Sequence, residues 1–100
     1  MMPRLGSKEF LILDMLMSGR EMYGLEMVKQ AAGELARGTV YVTLERMSDK
    51  NFVSSRLEDV PPGGGPARRL YRITGLGVQL HRAQSLFNES FSEALVGGLI

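Results

Sequence analysis

Apolar residues fall into successive segments along the chain, and their spacing changes from helical to alternating and back to helical. The first segment, residues 10–17, is apolar on nearly every side of a helix, with Asp14 as the exception. Ser7 before it is a typical N-cap, and Gly19 after it is a typical helix stop. A helix that is apolar around most of its circumference is buried on several sides. The pattern therefore predicts a central helix, or one partly covered by another subunit.

Two shorter helices are predicted next, with a glycine between them. The first begins near Tyr23 and ends before Gly33, and the second begins near Gly38 or Thr39. Two short helices in tandem with an intervening glycine have the spacing of a helix-turn-helix motif. The positions expected to face the core are Leu25, Val28 and Ala32 on the first of these helices, and Val40, Leu44 and Met47 on the second.

The pattern becomes strand-like after Asn51. Residues 52–58 predict one β-strand, and residues 68–73 alternate as a second one. Between them, residues 61–66 have the sequence PPGGGP, which cannot form regular structure and predicts a loop. Two strands joined by a flexible loop directly after the third helix make a wing.

A long helix is predicted after Thr74, which would be its N-cap. Its apolar stripe continues over more turns than a small domain can cover, and residues 96–100 predict a frayed or capped end. The stripe could pack across a dimer or lie on a membrane surface. Arg82 is the main basic residue on the polar face, which argues against a membrane and favours dimerisation. The stripe consists of Leu76, Leu80, Ala83, Phe87, Phe91, Ala94 and Leu95.

These elements predict a mainly α fold with a small β-hairpin wing. Residues 1–74 would form a winged helix-turn-helix domain, and residues 75–100 a C-terminal dimerisation helix within the same structural domain. The length of 100 residues fits one domain, and a hydrophobic content of 44% is too high for a disordered chain. A domain this small gains stability from a partner subunit.

Composition argues against an enzyme, a metal site or a bound cofactor. The chain has no cysteine, which excludes disulfides, cysteine–zinc sites and a thiol nucleophile. Its single histidine, His81, has no triad or metal cluster at a plausible spacing, and we expect it on the surface of a helix. Glu9, Asp14 and Glu21 do not form a carboxylate pair suited to acid–base catalysis.

Charge becomes informative only where it is clustered. Twelve Lys and Arg against eleven Asp and Glu leave a net charge of +1, which says little about partners. Arginines at the base of a glycine-rich loop suit contact with phosphates or with a narrow minor groove. The alternative is a solvated face in which these arginines pair with Glu58 and Asp59. The wing arginines are Arg56, Arg68, Arg69 and Arg72.

The start of the third helix is a second candidate site. Arg37, Thr39, Tyr41 and Thr43 are hydrogen-bonding residues around a helix N-terminus, where free N–H groups and the helix dipole favour a phosphate. Their side chains could also reach base edges in a major groove. The alternative is that Thr39 is only a cap and that Tyr41 belongs to the half-buried core.

In their order and spacing, these pieces resemble the PadR family of winged helix-turn-helix transcriptional regulators, over roughly residues 11–80. The motifs that carry the resemblance are Tyr23-Gly24, Gly38-Thr39-Val40-Tyr41, Leu44-Glu45-Arg46-Met47, Phe52-Val53, the segment GGPARRLYRIT at residues 64–74, and Gly77. The resemblance implies a homodimeric transcriptional repressor that binds double-stranded DNA and whose recognition helix begins at Gly38-Thr39. It also implies, in some members, release of the DNA by a small hydrophobic or aromatic effector.

Two sets of residues follow from the patterns and the resemblance together. The predicted DNA-binding residues are Arg37, Gly38, Thr39, Tyr41, Thr43, Arg46, Arg68, Arg69 and Arg72. The predicted dimerisation residues are Leu80, Ala83, Phe87, Phe91 and Leu95.

The chain departs from the family pattern at three points. Val42 stands where the family usually has proline, and Asn51 stands where it usually has glycine. Asparagine tolerates the left-handed backbone conformation, so we expect the turn at Asn51 to keep its geometry. The chain also has no tryptophan, so it lacks a tryptophan sandwich for an effector.

The sequence thus favours a cytoplasmic DNA-binding regulator, with a winged-helix protein-interaction module as the alternative. The first residues do not resemble a signal peptide, because Glu9 and Asp14 interrupt the apolar run and no small-residue cleavage site follows. That run is also far too short to span a bilayer. The near-neutral net charge is what keeps the interaction module open.

Overall fold

The computed structural model describes residues 4–59 and 63–98, with residues 89–98 described as helical backbone only. In these residues, helices pack on a three-stranded antiparallel sheet whose strand order is β1-β3-β2. The mainly α fold with a β-hairpin wing is therefore confirmed. The elements in chain order are α1 (Ser7–Leu16), β1 (Met22–Tyr23), α2 (Gly24–Gln30), α3 (Arg37–Asp49), β2 (Val53–Leu57), β3 (Arg69–Ile73) and α4 (Gly75–Gly98).

Helix α1 runs through the core as its apolar circumference predicts. Ile12, Leu13 and Leu16 are fully buried. The N-cap is Gly6 and not Ser7, because the Glu9 carboxylate accepts a hydrogen bond from the Gly6 N–H at 2.9 Å. This bond satisfies one of the free N–H groups at the helix start.

Helix α2 buries a different stripe from the predicted one. Met27 and Ala31 are buried, whereas Leu25 and Val28 are only half-buried. Ala32 is exposed and has a positive φ of 50°. The helix ends at Gln30, so a periodicity extended to residue 32 runs beyond the helix.

Strand β1 was not predicted, because two residues are too few to show an alternating pattern. Met22 pairs with Tyr71, and Tyr23 pairs with Leu70. The strand exists because the free edge of β3 supplies hydrogen-bonding partners for this short extended segment. It ties the start of α2 directly to the wing.

Helix α3 agrees closely with the sequence pattern. Val40, Leu44 and Met47 are fully buried, as predicted, although the helix begins slightly earlier, at Arg37. The turn after the helix is also as predicted, since Asn51 has a φ of 64° in the left-handed region.

Strands β2 and β3 form the hairpin of the wing, in a register that runs from Val53 opposite Ile73 to Leu57 opposite Arg69. Val53 and Tyr71 are buried on the face that contacts the helices, which we call the inner face of the sheet. Because side chains alternate along a strand, the neighbours of these residues point to the opposite, outer face. Gly63, Gly64 and Gly65 in the loop all have positive φ, whereas Pro61 and Pro62 lie outside the described residues.

Helix α4 begins as predicted, with Thr74 as its N-cap. The Thr74 hydroxyl accepts a hydrogen bond from the Gly77 N–H at 3.0 Å, and its oxygen lies 2.7 Å from the carbonyl oxygen of Asn51. Leu80 is buried in the core of its own chain, whereas Leu76 is 39% exposed. In the part of the chain that is described, no helix is long and apolar enough to cross a membrane.

His81 is the clearest correction, because it is buried and does not lie on the helix surface. Its ring stacks on that of Phe10 at a centroid distance of 4.8 Å, and its Nε2 atom lies 2.8 Å from the Asp14 carboxylate. Both partners belong to α1. The one polar position that interrupts the apolar circumference of α1 thus contacts the one histidine of α4.

Gly77 provides a test of how α4 is held on the domain. A Cβ atom at this position would lie 2.3 Å from the Phe52 carbonyl oxygen, which is a backbone atom and cannot rotate away. We expect Gly77→Ala to lower the free energy of unfolding by about 1–3 kcal/mol, as overpacking does. Gly75→Ala is the control, because its Cβ would meet nothing within 4 Å. Urea unfolding curves that coincide for the two variants would contradict this packing.

Candidate nucleic-acid interface

The start of α3 is exposed, and no side chain caps it with a hydrogen bond. Its N-cap, Ala36, makes no side-chain hydrogen bond, and the first turn contains no acidic residue. The alternative in which Thr39 serves as the cap is therefore wrong. Arg37, Gly38 and Thr39 are all exposed here. A helix start of this kind, with free N–H groups and the positive end of the dipole, favours an anion.

Gly38 differs from Gly24 and Gly77, which are tightly packed against other parts of the chain. A Cβ atom at Gly38 would meet nothing within 4 Å, so packing within the chain does not require glycine there. Thr43, one turn further on, donates its hydroxyl hydrogen to the Thr39 carbonyl oxygen at 2.9 Å. Its oxygen remains able to accept a hydrogen bond from another molecule.

Tyr41 is held at the surface by close packing on Gly24. A Cβ atom at Gly24 would lie 2.7 Å from Cε1 of the Tyr41 ring. The ring therefore covers the first residue of α2, while 46% of Tyr41 stays exposed. The alternative for Tyr41 is therefore correct in part, because its ring packs on Gly24, and the DNA contact of its exposed part stays a prediction. The contact also explains the glycine of the Tyr23-Gly24 pair.

Arg69 lies on the inner face of the sheet, near α3. Burial raises the pKa of Tyr71, and Arg69 lowers it in part, while Tyr41 and Glu45 of α3 raise it further. Arg69, Tyr41 and Glu45 therefore all influence the charge of the Tyr71 hydroxyl. Nη1 of Arg69 donates a hydrogen bond to the Ser55 hydroxyl at 3.1 Å, so its partner is neutral.

Arg56 and Arg72 lie on the outer face of the sheet and share one carboxylate. Nε and Nη2 of Arg56 donate to the two oxygens of Glu21 at 2.8 and 2.9 Å. Nη2 of Arg72 lies 3.7 Å from the same carboxylate. The hydrogen bond from Arg56 lowers the pKa of Glu21, which keeps this carboxylate charged. The alternative to DNA contact was pairing with Glu58 and Asp59, but the observed partner of Arg56, Glu21, lies 35 residues away along the chain.

Arg68, at the base of the hairpin loop, is also paired. Its Nε donates to the Glu58 carboxylate at 2.8 Å, and this bond raises the pKa of the Arg68 guanidinium. The guanidinium carbon lies 4.3 Å from the centre of the Tyr23 ring, in a cation–π contact. Here the alternative, pairing with an acidic residue of the wing, is correct.

Comparison with known proteins decides the family. Residues 12–83 match the family model described as "Transcriptional regulator PadR-like family". The chain belongs to the PadR-like family of transcriptional regulators. No curated protein matches the chain in sequence at a significant level. Members of this family are transcriptional regulators, so the expectation that the chain is not an enzyme is confirmed.

Solved structures agree with this assignment. A PadR family transcription regulator from Clostridium difficile R20291 is 26% identical, with a TM-score of 0.80 over 95% of this chain and 100% of that one. A PadR-like regulator from Bacillus cereus is 24% identical, with a TM-score of 0.75 over 92% and 90% of the two chains. Bacillus subtilis PadR, solved in complex with operator DNA, is 20% identical, with a TM-score of 0.69 over 78% of this chain and 47% of that one.

In this PadR-like chain, the predicted DNA-binding residues separate into two groups. One group lies on α3 or on the inner face of the sheet beside it, and the other lies at the outer face of the sheet. The first group comprises Arg37, Gly38, Thr39, Tyr41, Thr43, Arg46 and Arg69, and the second comprises Arg68 and Arg72.

Two residues that sequence reasoning did not select affect this surface. Gly24 belongs to the Tyr23-Gly24 motif, but nothing in the sequence indicates its contact with Tyr41. Glu21 carries no sequence signal at all, because its partners are distant along the chain. The described residues contain no group of three or more His, Asp or Glu side chains that could hold a metal ion.

Proposed function

We propose that this chain is a dimeric transcriptional repressor that acts in the cytoplasm and binds double-stranded DNA with sequence specificity. The observation that carries the proposal is the distribution of unpaired arginines. Among the described residues of α3 and the hairpin, Arg37, Arg46 and Arg69 have no carboxylate within 4 Å. Arg37 lies at the exposed start of α3, Arg46 lies in its last turn, and Arg69 lies on the inner face of the sheet.

Such a surface suits the phosphate backbone and the major groove. Free cations and helix N–H groups contact phosphates, which set the position of the protein on the duplex. The exposed side chains of α3 would then meet base edges in the groove. Bacillus subtilis PadR, which shares the fold, is bound to operator DNA in its structure. We infer the same type of target for this chain.

The proposed dimer rests on the exposed apolar side of α4. Leu86 is 64% exposed and Phe87 is 53% exposed. Large apolar side chains that are exposed side by side mark a surface suited to contact with another molecule. Ala83 is half-buried. Leu80 belongs to the core of its own chain, and the side chains of Phe91 and Leu95 lie outside the described residues. A second copy of α4 would cover this side.

A symmetric dimer would place two α3 helices in successive major grooves, about 34–36 Å apart, on a pseudo-palindromic operator. A small hydrophobic or aromatic effector that releases the DNA is the remaining part of the proposal. Because the chain has no tryptophan, phenylalanine and methionine are the adaptable apolar groups that could contact such a ligand.

The arginine assignment is tested with Arg69→Gln. We expect weaker binding to all DNA sequences and a salt dependence reduced by about one unit of slope, because one phosphate contact is lost. Arg82→Gln, an exposed position on α4, is the charge-matched control and should change neither. Binding of labelled duplexes is measured by fluorescence anisotropy over a range of salt. If the unchanged chain shows no salt-dependent binding and instead captures a protein partner tightly, the interaction module is the better description.

Gly38 gives a test that separates binding from stability. In Gly38→Ala the new methyl group points into open space, and alanine favours a helix over glycine by up to about 1 kcal/mol. We therefore expect unchanged or higher thermal stability together with DNA affinity lower by about tenfold or more, because the backbone can no longer approach a phosphate closely. Full DNA affinity in this variant would show that the DNA does not approach the start of α3.

The dimer is tested with Phe87→Glu. A charge at a buried apolar contact between two copies should weaken association by about tenfold or more, since residues at the centre of an interface carry most of its binding energy. Gln79→Glu adds the same charge at an exposed position of the same helix and should leave association intact. Light scattering over a dilution series gives the masses. Equal dissociation constants for the two variants would exclude Phe87 from the interface.

A further inference from the structure

The outer face of the sheet contains an acidic residue whose place suggests a role in DNA selectivity. We propose that Glu21 is a specificity-determining residue: it holds Arg56 and Arg72 away from DNA phosphates and so suppresses non-specific binding. This inference rests on the proposed function. It concerns Arg56 and Arg72, the wing arginines on the outer face of the sheet, and not the residues of α3 or of the inner face.

The geometry at Glu21 is that of a carboxylate in the place of a phosphate. Arg56 donates to both of its oxygens at 2.8 and 2.9 Å, which is the bidentate arrangement that arginine also makes with phosphate. Arg72 approaches one of the same oxygens at 3.7 Å. Both guanidinium groups are therefore directed toward an anion that the protein itself supplies.

Sheet topology brings Glu21 to this place. Glu21 immediately precedes β1, which pairs with β3, and Arg72 lies on β3 opposite Ser54 of β2. The carboxylate thus extends from the β1 edge across the central strand to Arg56 on the far strand. Its side chain is only 22% exposed, whereas those of Arg56 and Arg72 are 53% and 59% exposed. The acid is held in place, and the arginines remain within reach of solvent.

This arrangement nearly cancels the charge of the wing. The hairpin region contains four arginines, Arg56, Arg68, Arg69 and Arg72. Glu21 and Glu58 pair with three of them, and Asp59 lies close enough to affect the charge of Arg56. Only Arg69 has a neutral hydrogen-bonding partner, Ser55, and no carboxylate within 4 Å. To contact Arg56, Arg68 or Arg72, a DNA phosphate would have to displace a carboxylate that is already paired with that arginine within the chain.

Selectivity follows because non-specific binding is almost wholly electrostatic. Each phosphate that a protein neutralises makes binding steeper in salt by about 0.9 units, whatever the sequence of the DNA. On the operator, base contacts fix α3 in the groove, so that only cations on that side of the protein reach phosphates, whereas a non-specific complex can use any cationic face. Specificity is the ratio of operator binding to this background. Neutralising Arg56 and Arg72 internally lowers the background and leaves the base-reading surface of α3 unchanged.

The test is Glu21→Gln, measured on a random-sequence duplex and on an operator obtained by selection with the unchanged protein. We expect non-specific affinity to rise about tenfold and its salt slope to steepen by about one to two units, because one or two arginines become available to phosphates. Operator affinity should rise less, so that the ratio of operator to random-sequence binding falls. Glu34→Gln is the control, because Glu34 is exposed, lies outside α3 and the sheet, and gives the same change of charge without an arginine partner.

Two further variants keep the test decisive. In Glu21→Gln with Arg56→Gln and Arg72→Gln, the added non-specific affinity should disappear. In the otherwise unchanged chain, Arg56→Gln with Arg72→Gln should flatten the non-specific salt slope less than Arg69→Gln does. A larger effect of the outer pair than of Arg69 would overturn the proposal even if Glu21→Gln did not fold.

The outcomes separate this proposal from the one it rests on. If the unchanged chain binds no DNA, the proposed function fails, and the role of Glu21 fails with it. If the unchanged chain binds DNA and Glu21→Gln behaves like Glu34→Gln, only the role of Glu21 is overturned. Weaker operator binding by Glu21→Gln, with no steeper non-specific slope, would also overturn it and would show that Glu21 only maintains the shape of the wing.

Discussion

The register of β3 in the sheet is the constraint on which the rest of the molecule depends. β3 is the central strand and bonds to both β1 and β2. A shift of one residue in its pairing would move every side chain to the opposite face. Tyr71 would then leave the core, and Arg69 would leave the neighbourhood of α3. The register is fixed because Met22, Val53 and Tyr71 must all be buried on the same side.

This constraint also sorts the arginines of the wing. Neighbours in sequence such as Arg68 and Arg69 acquire different partners, because alternate residues face opposite sides of the sheet. Arg69 approaches Tyr71 and Ser55, whereas Arg68 pairs with Glu58. The net charge of +1 hides this separation. The distribution of pairs, and not the total, distinguishes cations available to another molecule from those already bound within the chain.

Packing around small residues positions the surface of α3. The Tyr41 ring is seated on Gly24, and α4 is seated on the Phe52 carbonyl through Gly77. The turn between α3 and the wing adopts its left-handed conformation at Asn51, where φ is 64°. The stacked pair of Phe10 and His81, together with Asp14, joins α1 to α4. These contacts link the helix proposed to enter the DNA groove with the helix proposed to form the dimer.

The sequence by itself determined the order of the longer elements, the core stripe of α3, the Thr74 cap, the left-handed turn at Asn51 and the resemblance to PadR regulators. Each depends on spacing or chemistry within a short stretch of chain, which periodicity and capping rules capture. It did not determine β1, the buried stripe of α2, the burial of His81 or the pairing of Glu21 with Arg56. Those depend on partners brought together from distant parts of the chain, and only the tertiary structure decides which distant groups become neighbours. A short segment pairs with an exposed strand edge, and a polar side chain is buried where it finds a hydrogen-bonding partner.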